Sequence, residues 1–140
     1  MSFQTLVTNR FVKSEDLNHH GTLFAGRSAE WFIEAGLMAV SGILPADNIV
    51  CVKLNEMSFT TPVNLGDIAR FEATPVYAGK SSIITYNAVY VGEKKLIEGF
   101  ITYVNIDANG KAQPHGITLT AETEEEKLLQ ERAAKLKSRA

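Results

Sequence analysis

From residue 48 to residue 106 the apolar positions come in short runs that read as strands, and upstream of them one longer run reads as a helix. Asp67–Tyr77 alternates, with Ala69, Phe71 and Ala73 on one side and Arg70, Glu72 and Thr74 on the other, the period-two pattern of a half-buried strand. Asn48–Thr60 carries Ile49, Val50, Cys51, Val52, Leu54 and Phe59. Ser82–Val91 is β-branched and aromatic, and Lys95–Ile106 repeats the theme with Ile97, Phe100, Ile101, Tyr103 and Val104. Residues 3–13 predict a first strand. From about Gly26 to Leu44 the chain is rich in Ala, Leu, Met and Trp, which predicts a helix closed by Pro45.

A second helix is expected over Thr120–Arg139. Thr123 and Glu126 match a capping box. Four glutamates crowd its start, while Lys135, Lys137 and Arg139 crowd its end, an order that complements the helix dipole. Leu128, Leu129, Ala133 and Leu136 give it a thin apolar stripe, which reads as a surface or partner-facing helix. Short turn signals at Asn64-Leu65-Gly66-Asp67, Ala78-Gly79-Lys80, Val91-Gly92-Glu93 and Asp107-Ala108-Asn109-Gly110 separate the strands and predict antiparallel hairpins. One apolar helix beside such strands predicts an α+β fold with the sheet wrapped around the helix. Gly36 inside that helix costs about 1 kcal/mol relative to Ala and is tolerable where another group must approach the backbone closely.

Composition narrows the function more than the fold. The 140 residues suit one domain with its own core, and a net charge of -2 gives no general attraction to nucleic acid or an acidic membrane. Cys51 is the only cysteine, so neither an internal disulfide nor a four-cysteine metal site can form, which fits a reducing, cytoplasmic setting. Cys51 itself reads as a buried strand residue. No signal peptide is apparent, and the apolar stretch Trp31–Leu44 is too short and interrupted to span a bilayer.

At Asp16-Leu17-Asn18-His19-His20-Gly21-Thr22-Leu23-Phe24-Ala25-Gly26 the sequence resembles the acyl-CoA hydrolase branch of the hotdog superfamily. That branch carries Asp-x-Asn-x-x-Gly-x-x-(aromatic or His)-Gly-Gly before a helix with an acidic residue. Phe59-Thr60-Thr61-Pro62-Val63-Asn64-Leu65-Gly66-Asp67 resembles the family's Phe-x-x-Pro-Val-x-x-Gly-Asp. Gly79-Lys80-Ser81-Ser82 resembles its Gly-(Arg/Lys)-(Ser/Thr)-Ser turn, and Phe100–Gly110 its strand ending in Val-x-x-Asp-x-x-Gly. The matches keep the family's order and cover roughly residues 5–112. They imply a hotdog fold: an antiparallel sheet of five or six strands around one long central helix, over residues 1–118, with residues 119–140 as a C-terminal helical extension. They imply hydrolysis of acyl-CoA to free acid and coenzyme A, with no cofactor required. They also imply a homodimer joined sheet to sheet, assembled into tetramers or hexamers, with the site at the interface.

A thioester carbonyl is already electrophilic, so hydrolysis needs a polarised carbonyl oxygen and a positioned water; no Gly-x-Ser-x-Gly elbow is present or needed. The helix start at Phe24-Ala25-Gly26 offers free backbone N–H groups and the positive end of the dipole, and Gly26 lets a substrate approach. Asn18 can orient the water or bind the thioester, or else simply cap a turn. Glu34, set among Trp31, Phe32, Ile33, Leu37 and Met38, is a candidate base if burial raises its pKa. The position where the family carries its acid is Ile33 here, and Glu34 lies about 100° further around a helix. His20 is the alternative base. With His19 and His115 it makes no convincing metal set. Gly79, Lys80, Ser81 and Ser82 can hold the phosphates of coenzyme A or form an ordinary turn. Two other functions remain open: a hotdog hydratase or dehydratase using His20 and Glu34, and a non-catalytic acyl-CoA sensor acting through a partner on helix 120–139.

Overall fold

The computed structural model describes residues 1–138. Arg139, expected at the basic end of the terminal helix, lies outside the described residues. Five strands follow the predicted positions closely: β1 (Leu6–Phe11), β2 (Ile49–Phe59), β3 (Ile68–Ala78), β4 (Ser82–Val91) and β5 (Lys94–Asn105). Among the described residues two α-helices, α1 (Ala25–Ser41) before β2 and α2 (Glu124–Ser138) after β5, and two single-turn 3-10 helices at Ser14–Asp16 and Ala46–Asn48 complete the fold. All strand pairs are antiparallel, in the order β1-β3-β4-β5-β2.

The sheet curls around α1, which touches all five strands. The alternation seen in the sequence sets the inner face, where Ala69, Phe71 and Ala73 of β3 are buried with Trp31, Phe32, Ala35 and Val40 of α1. Two polar groups fasten the helix across this core. Tyr103 donates its hydroxyl proton to the Ile33 carbonyl at 2.6 Å, and Asn87 Nδ2 donates to the Phe32 carbonyl at 2.7 Å. Gly36 is where the backbone must come close, since a Cβ there would lie inside van der Waals contact of the Tyr103 hydroxyl and 3.0 Å from Thr85 Oγ1. Burial pushes the Tyr103 phenol far above its ordinary pKa.

Three expectations change. The helix ends at Ser41, three residues before the predicted Leu44, with the Gly42, Ile43 and Leu44 amides closing back onto Ala39 and Val40. Leu44 precedes Pro45, which disfavours helical backbone there. The turn at residues 64–67 closes no hairpin, because β2 and β3 are not neighbours. After Thr60 donates its N–H to the Leu96 carbonyl, the chain leaves the sheet at Pro62, crosses one end of it, and enters β3 at the opposite side. Finally, α2 is not merely a surface helix. Ala133 and Leu136 are buried against Val76, Ile84 and Phe100 on the outer face of the sheet. Its capping box is half formed: the Glu126 N–H donates to Thr123 Oγ1 at 3.1 Å, but the Glu126 carboxylate accepts from Glu122 instead of Thr123.

Candidate active site

The crossing segment 60–67 meets the loop before α1, and this meeting builds the site. Leu23 donates its N–H to the Val63 carbonyl at 2.8 Å, and Thr22 bridges to Asn64. Inside the loop the chain reverses on itself: Asn18 N–H donates to the Thr22 carbonyl at 2.7 Å and Gly21 N–H to the Asn18 carbonyl at 3.1 Å. Gly21 has a φ of 79°, a conformation open to glycine without Cβ strain, which gives the Asn-x-x-Gly spacing its physical meaning. The Asn18 side chain is largely engaged in the same reversal. Its Oδ1 accepts from the backbone N–H of His20 (2.8 Å) and Thr22 (3.2 Å), and its Nδ2 donates to Thr22 Oγ1 at 3.1 Å.

Asp16 ties this loop to the helix, a role the sequence reading did not assign to it. Its carboxylate is buried to 1% exposure, accepts the Lys13 N–H at 2.9 Å, and lies 3.6 Å from both Lys13 Nζ and Arg27 Nη1. Its carbonyl accepts the Phe24 N–H at 2.9 Å. The signal was present as the first letter of the Asp-x-Asn motif, but nothing in the sequence marks that Asp as buried.

Asp16 thereby fixes the start of α1. Phe24 is the N-cap, with no side-chain cap and no acidic residue in the first turn. Ser28 is the first residue whose N–H finds a helical partner, the Phe24 carbonyl at 3.0 Å. The amides of Ala25, Gly26 and Arg27 are left without an acceptor among the described residues, and the dipole's positive end is not neutralised. The Phe24 ring, 53% exposed, covers Gly26 so closely that a Cβ would meet it. Beside this helix start lies a cavity of about 250 Å³ lined by Asn18, Thr22, Ala25, Ser28, Thr60 and Val63, among others. Thr22, Ser28 and Thr60 were not singled out from the sequence, where isolated hydroxyl residues carry no signal.

The structure brings Asn18 and the start of α1 together and leaves the other candidates elsewhere. Glu34 is not buried among apolar side chains: its side chain is 49% exposed and pairs with Arg10 of β1, which also sits 5.3 Å from the Trp31 ring. Position 34 falls on the solvent side of α1, so the expectation of a desolvated carboxylate is corrected. His19 and His20 are exposed, their rings 3.9 Å apart, and neither lines the cavity. Cys51, expected to be buried, is exposed because β2 is the edge strand of the sheet, with no neighbour on its outer side among the described residues. On the same open stretch Leu54 and Phe59 are 38% and 52% exposed although they sit opposite buried Ile101 and Ile97.

The turn Gly79-Lys80-Ser81-Ser82 lies at the far end of the sheet. β3 has 11 residues, which puts the turn roughly 35 Å from the end where Asn18 lies. The turn is firmly anchored. The Ser81 carbonyl accepts from Asn105 at 2.8 Å, the Lys80 carbonyl accepts from His115 at 3.2 Å, and His115 Nε2 meets the Ser82 carbonyl at 3.0 Å. Ser82 Oγ is buried without a hydrogen-bond partner. Among the described residues no group of three or more His, Cys, Asp or Glu is placed to hold a metal, and no helix is long and apolar enough to cross a membrane.

A curled sheet around a central helix, with an uncapped helix start beside a cavity of amide, hydroxyl and apolar groups, is the architecture of the hotdog class. Residues 20–98 match the model of the thioesterase superfamily, and the chain belongs to that family. An uncharacterized acyl-CoA thioester hydrolase of Bacillus subtilis (strain 168) is 27% identical, matching 81% of this chain and 69% of its own length. Among solved structures, an apo-hexameric acyl-CoA thioesterase superposes with a TM-score of 0.87 at 25% identity, over 96% of this chain and 89% of that one. The acyl-CoA hydrolase of Staphylococcus aureus, solved with butyryl coenzyme A, coenzyme A and coenzyme A disulfide, gives 0.83 at 25% identity, over 96% of this chain and 82% of that one.

Proposed function

We propose that this protein hydrolyses acyl-coenzyme A thioesters, with the carbonyl oxygen held by the free amides at the start of α1. The observation that carries the reading is that uncapped helix terminus, opening beside a cavity that also presents Asn18. As the tetrahedral intermediate forms, negative charge grows on the carbonyl oxygen. Preorganised N–H donors at a dipole's positive end stabilise it more than the ground-state carbonyl, which lowers the barrier. Asn18 keeps the loop reversed and lines the cavity that receives the thioester.

The site is completed by a second copy of the chain. β2 is an open edge of 11 residues carrying exposed Val50, Val52 and Leu54, a ready template for pairing. Antiparallel pairing of two β2 strands about a two-fold axis runs the sheets in opposite directions. It therefore sets the far end of one sheet next to the Asn18 end of the other. The Gly79–Ser82 turn, too distant to serve its own Asn18, is then the partner's contribution, binding the phosphates of coenzyme A through Lys80 and the Ser81 hydroxyl, while the buried Ser82 hydroxyl stays out of reach. The hexameric relative supports further assembly of such dimers.

The test is thiol release from short, long and aromatic acyl-CoAs, corrected for the exposed Cys51 thiol, in wild type and Asn18→Ala. Turnover that falls at least tenfold in Asn18→Ala with the oligomer intact is the expected result. Absence of thiol release from every substrate would overturn the reading. Loss of enoyl absorbance from crotonyl-CoA without thiol release would replace it with hydration.

A further inference from the structure

Among the described residues the cavity beside Asn18 is lined by amides, hydroxyls and apolar groups but no carboxylate, and Glu34 is engaged by Arg10 on another side of the helix. The one non-glycine residue with positive φ among those described is Glu56, at 48°, on the edge strand β2. It sits in a bulge: Asn55 pairs with Phe100 and Ser58 with Glu98, so Glu56 and Met57 together face the single residue Gly99. Residue one of such a bulge is ordinarily glycine, because the left-handed conformation strains any side chain. Space at Gly99 is reserved for it. A Cβ there would lie 2.7 Å from the Glu56 carbonyl oxygen and 2.8 Å from Met57 Cα. Gly99 is thus committed to the close backbone of the bulge, and position 56 within it carries a glutamate in a conformation that glycine would adopt more easily.

The placement is as telling as the strain. Phe59 and Thr60 line the cavity, and Glu56 precedes Phe59 by three residues, roughly 10 Å along the strand. Among the described residues the Glu56 carboxylate makes no hydrogen bond or ion pair. It stands on the edge that pairing of two β2 strands closes, where an idle charge would be costly to enclose. Strained residues retained at such places cluster at functional sites.

The geometry points to Glu56 as the carboxylate that activates water for thioester hydrolysis in the assembled protein. This rests on the acyl-CoA hydrolase reading above. The carboxylate accepts a proton from a bridging water as the water oxygen bonds to the carbonyl carbon. The C–S bond then breaks, and the same proton passes from Glu56 to the departing thiolate of coenzyme A, so the products are the acid and the free thiol.

The experiment compares wild type, Glu56→Gln and Glu56→Gly in thiol release from the best acyl-CoA of the panel, with oligomeric state and Tm measured for each. Both variants lose roughly 100-fold or more in kcat, the size typical of removing a general base, while KM stays within about threefold. Glu56→Gly also gains a few degrees in Tm as the strain is relieved, and added formate restores part of its turnover, which a purely structural role would not allow. Retention of more than about a tenth of wild-type kcat in Glu56→Gln, or a Glu56→Gly that is unstrained and deaf to formate, overturns the inference. A wild type that releases no thiol overturns the hydrolase reading and this assignment with it, whereas active variants beside an active wild type overturn the assignment alone.

Discussion

The contact between Gly36 and Tyr103 determines how α1 sits on the sheet, and it can be measured as a coupling energy. In a wild-type background Gly36→Ala gains about 1 kcal/mol of helix propensity. The new methyl, however, collides with the Tyr103 hydroxyl and comes within 3.0 Å of Thr85 Oγ1. Overpacking of this kind costs about 1–3 kcal/mol, so the substitution is net destabilising by up to about 2 kcal/mol. Tyr103→Phe removes the clashing oxygen together with its 2.6 Å bond to the Ile33 carbonyl, a loss of about 1 kcal/mol. In that background the clash is reduced to the ring edge, 3.1 Å away, and the propensity gain offsets most of what remains. A double-mutant cycle by urea denaturation should therefore give a coupling of at least about 1 kcal/mol, with the double variant more stable than the two single effects predict. Additive effects within about 0.3 kcal/mol would show that the hydroxyl does not set the helix height, and that Gly36 is there for another reason. Because the free amides at the start of α1 move with the helix, Gly36→Ala should also lower kcat more than it raises KM.

Gly26→Pro deletes one of the free amides while keeping a backbone that the first helical turn accepts, and the exposed Phe24 ring can swing clear. Loss of one such donor predicts a fall in kcat of roughly 100-fold with an unchanged circular dichroism spectrum, read by thiol release. Glu34→Gln should leave kcat within about threefold and cost under about 1 kcal/mol, since the ion pair with Arg10 is exposed on both sides; a large fall in kcat would return Glu34 to the mechanism. Val50→Lys combined with Val52→Lys places like charges along the open edge of β2 and should yield monomers by light scattering. If the proposed pairing of β2 strands brings the Gly79–Ser82 turn of one chain to the Asn18 end of another, those monomers should be folded but without turnover.

Much of the strand pattern was legible: β3 alternates inner apolar with outer polar residues, as with Ala69 beside Arg70 and Phe71 beside Glu72, while β4 and β5 read as near-continuous apolar runs because α2 also covers Ile84 and Phe100 on the outer face. Strand neighbours were not legible. The Asn64–Asp67 turn looks locally like any hairpin turn, and only the pairing of β2 with β5 reveals that the chain crosses the sheet there. That crossing builds the cavity, so hydroxyl residues such as Thr22, Ser28 and Thr60 could not be recognised before it was known. Asn18 and Gly26 were recognisable because a loop reversal and a helix start are both local events with fixed spacing.

The carboxylate was the hardest part to read, for a reason rooted in helix geometry. A glutamate flanked by Ile33 and Ala35 looks buried in one dimension, yet successive helical residues are turned about 100° apart, and one apolar stripe can face the core while its neighbour faces water. Ile33 keeps partly buried contact with the core, so Glu34 is turned out toward Arg10. Moving an acid by one position along a helix therefore moves it to a different face, not to a nearby point of the same site. A chain that places isoleucine where the motif it resembles carries an acid must supply the carboxylate from another element or work without one. A strained glutamate on the edge strand, three residues from the cavity wall, is the element this sequence offers.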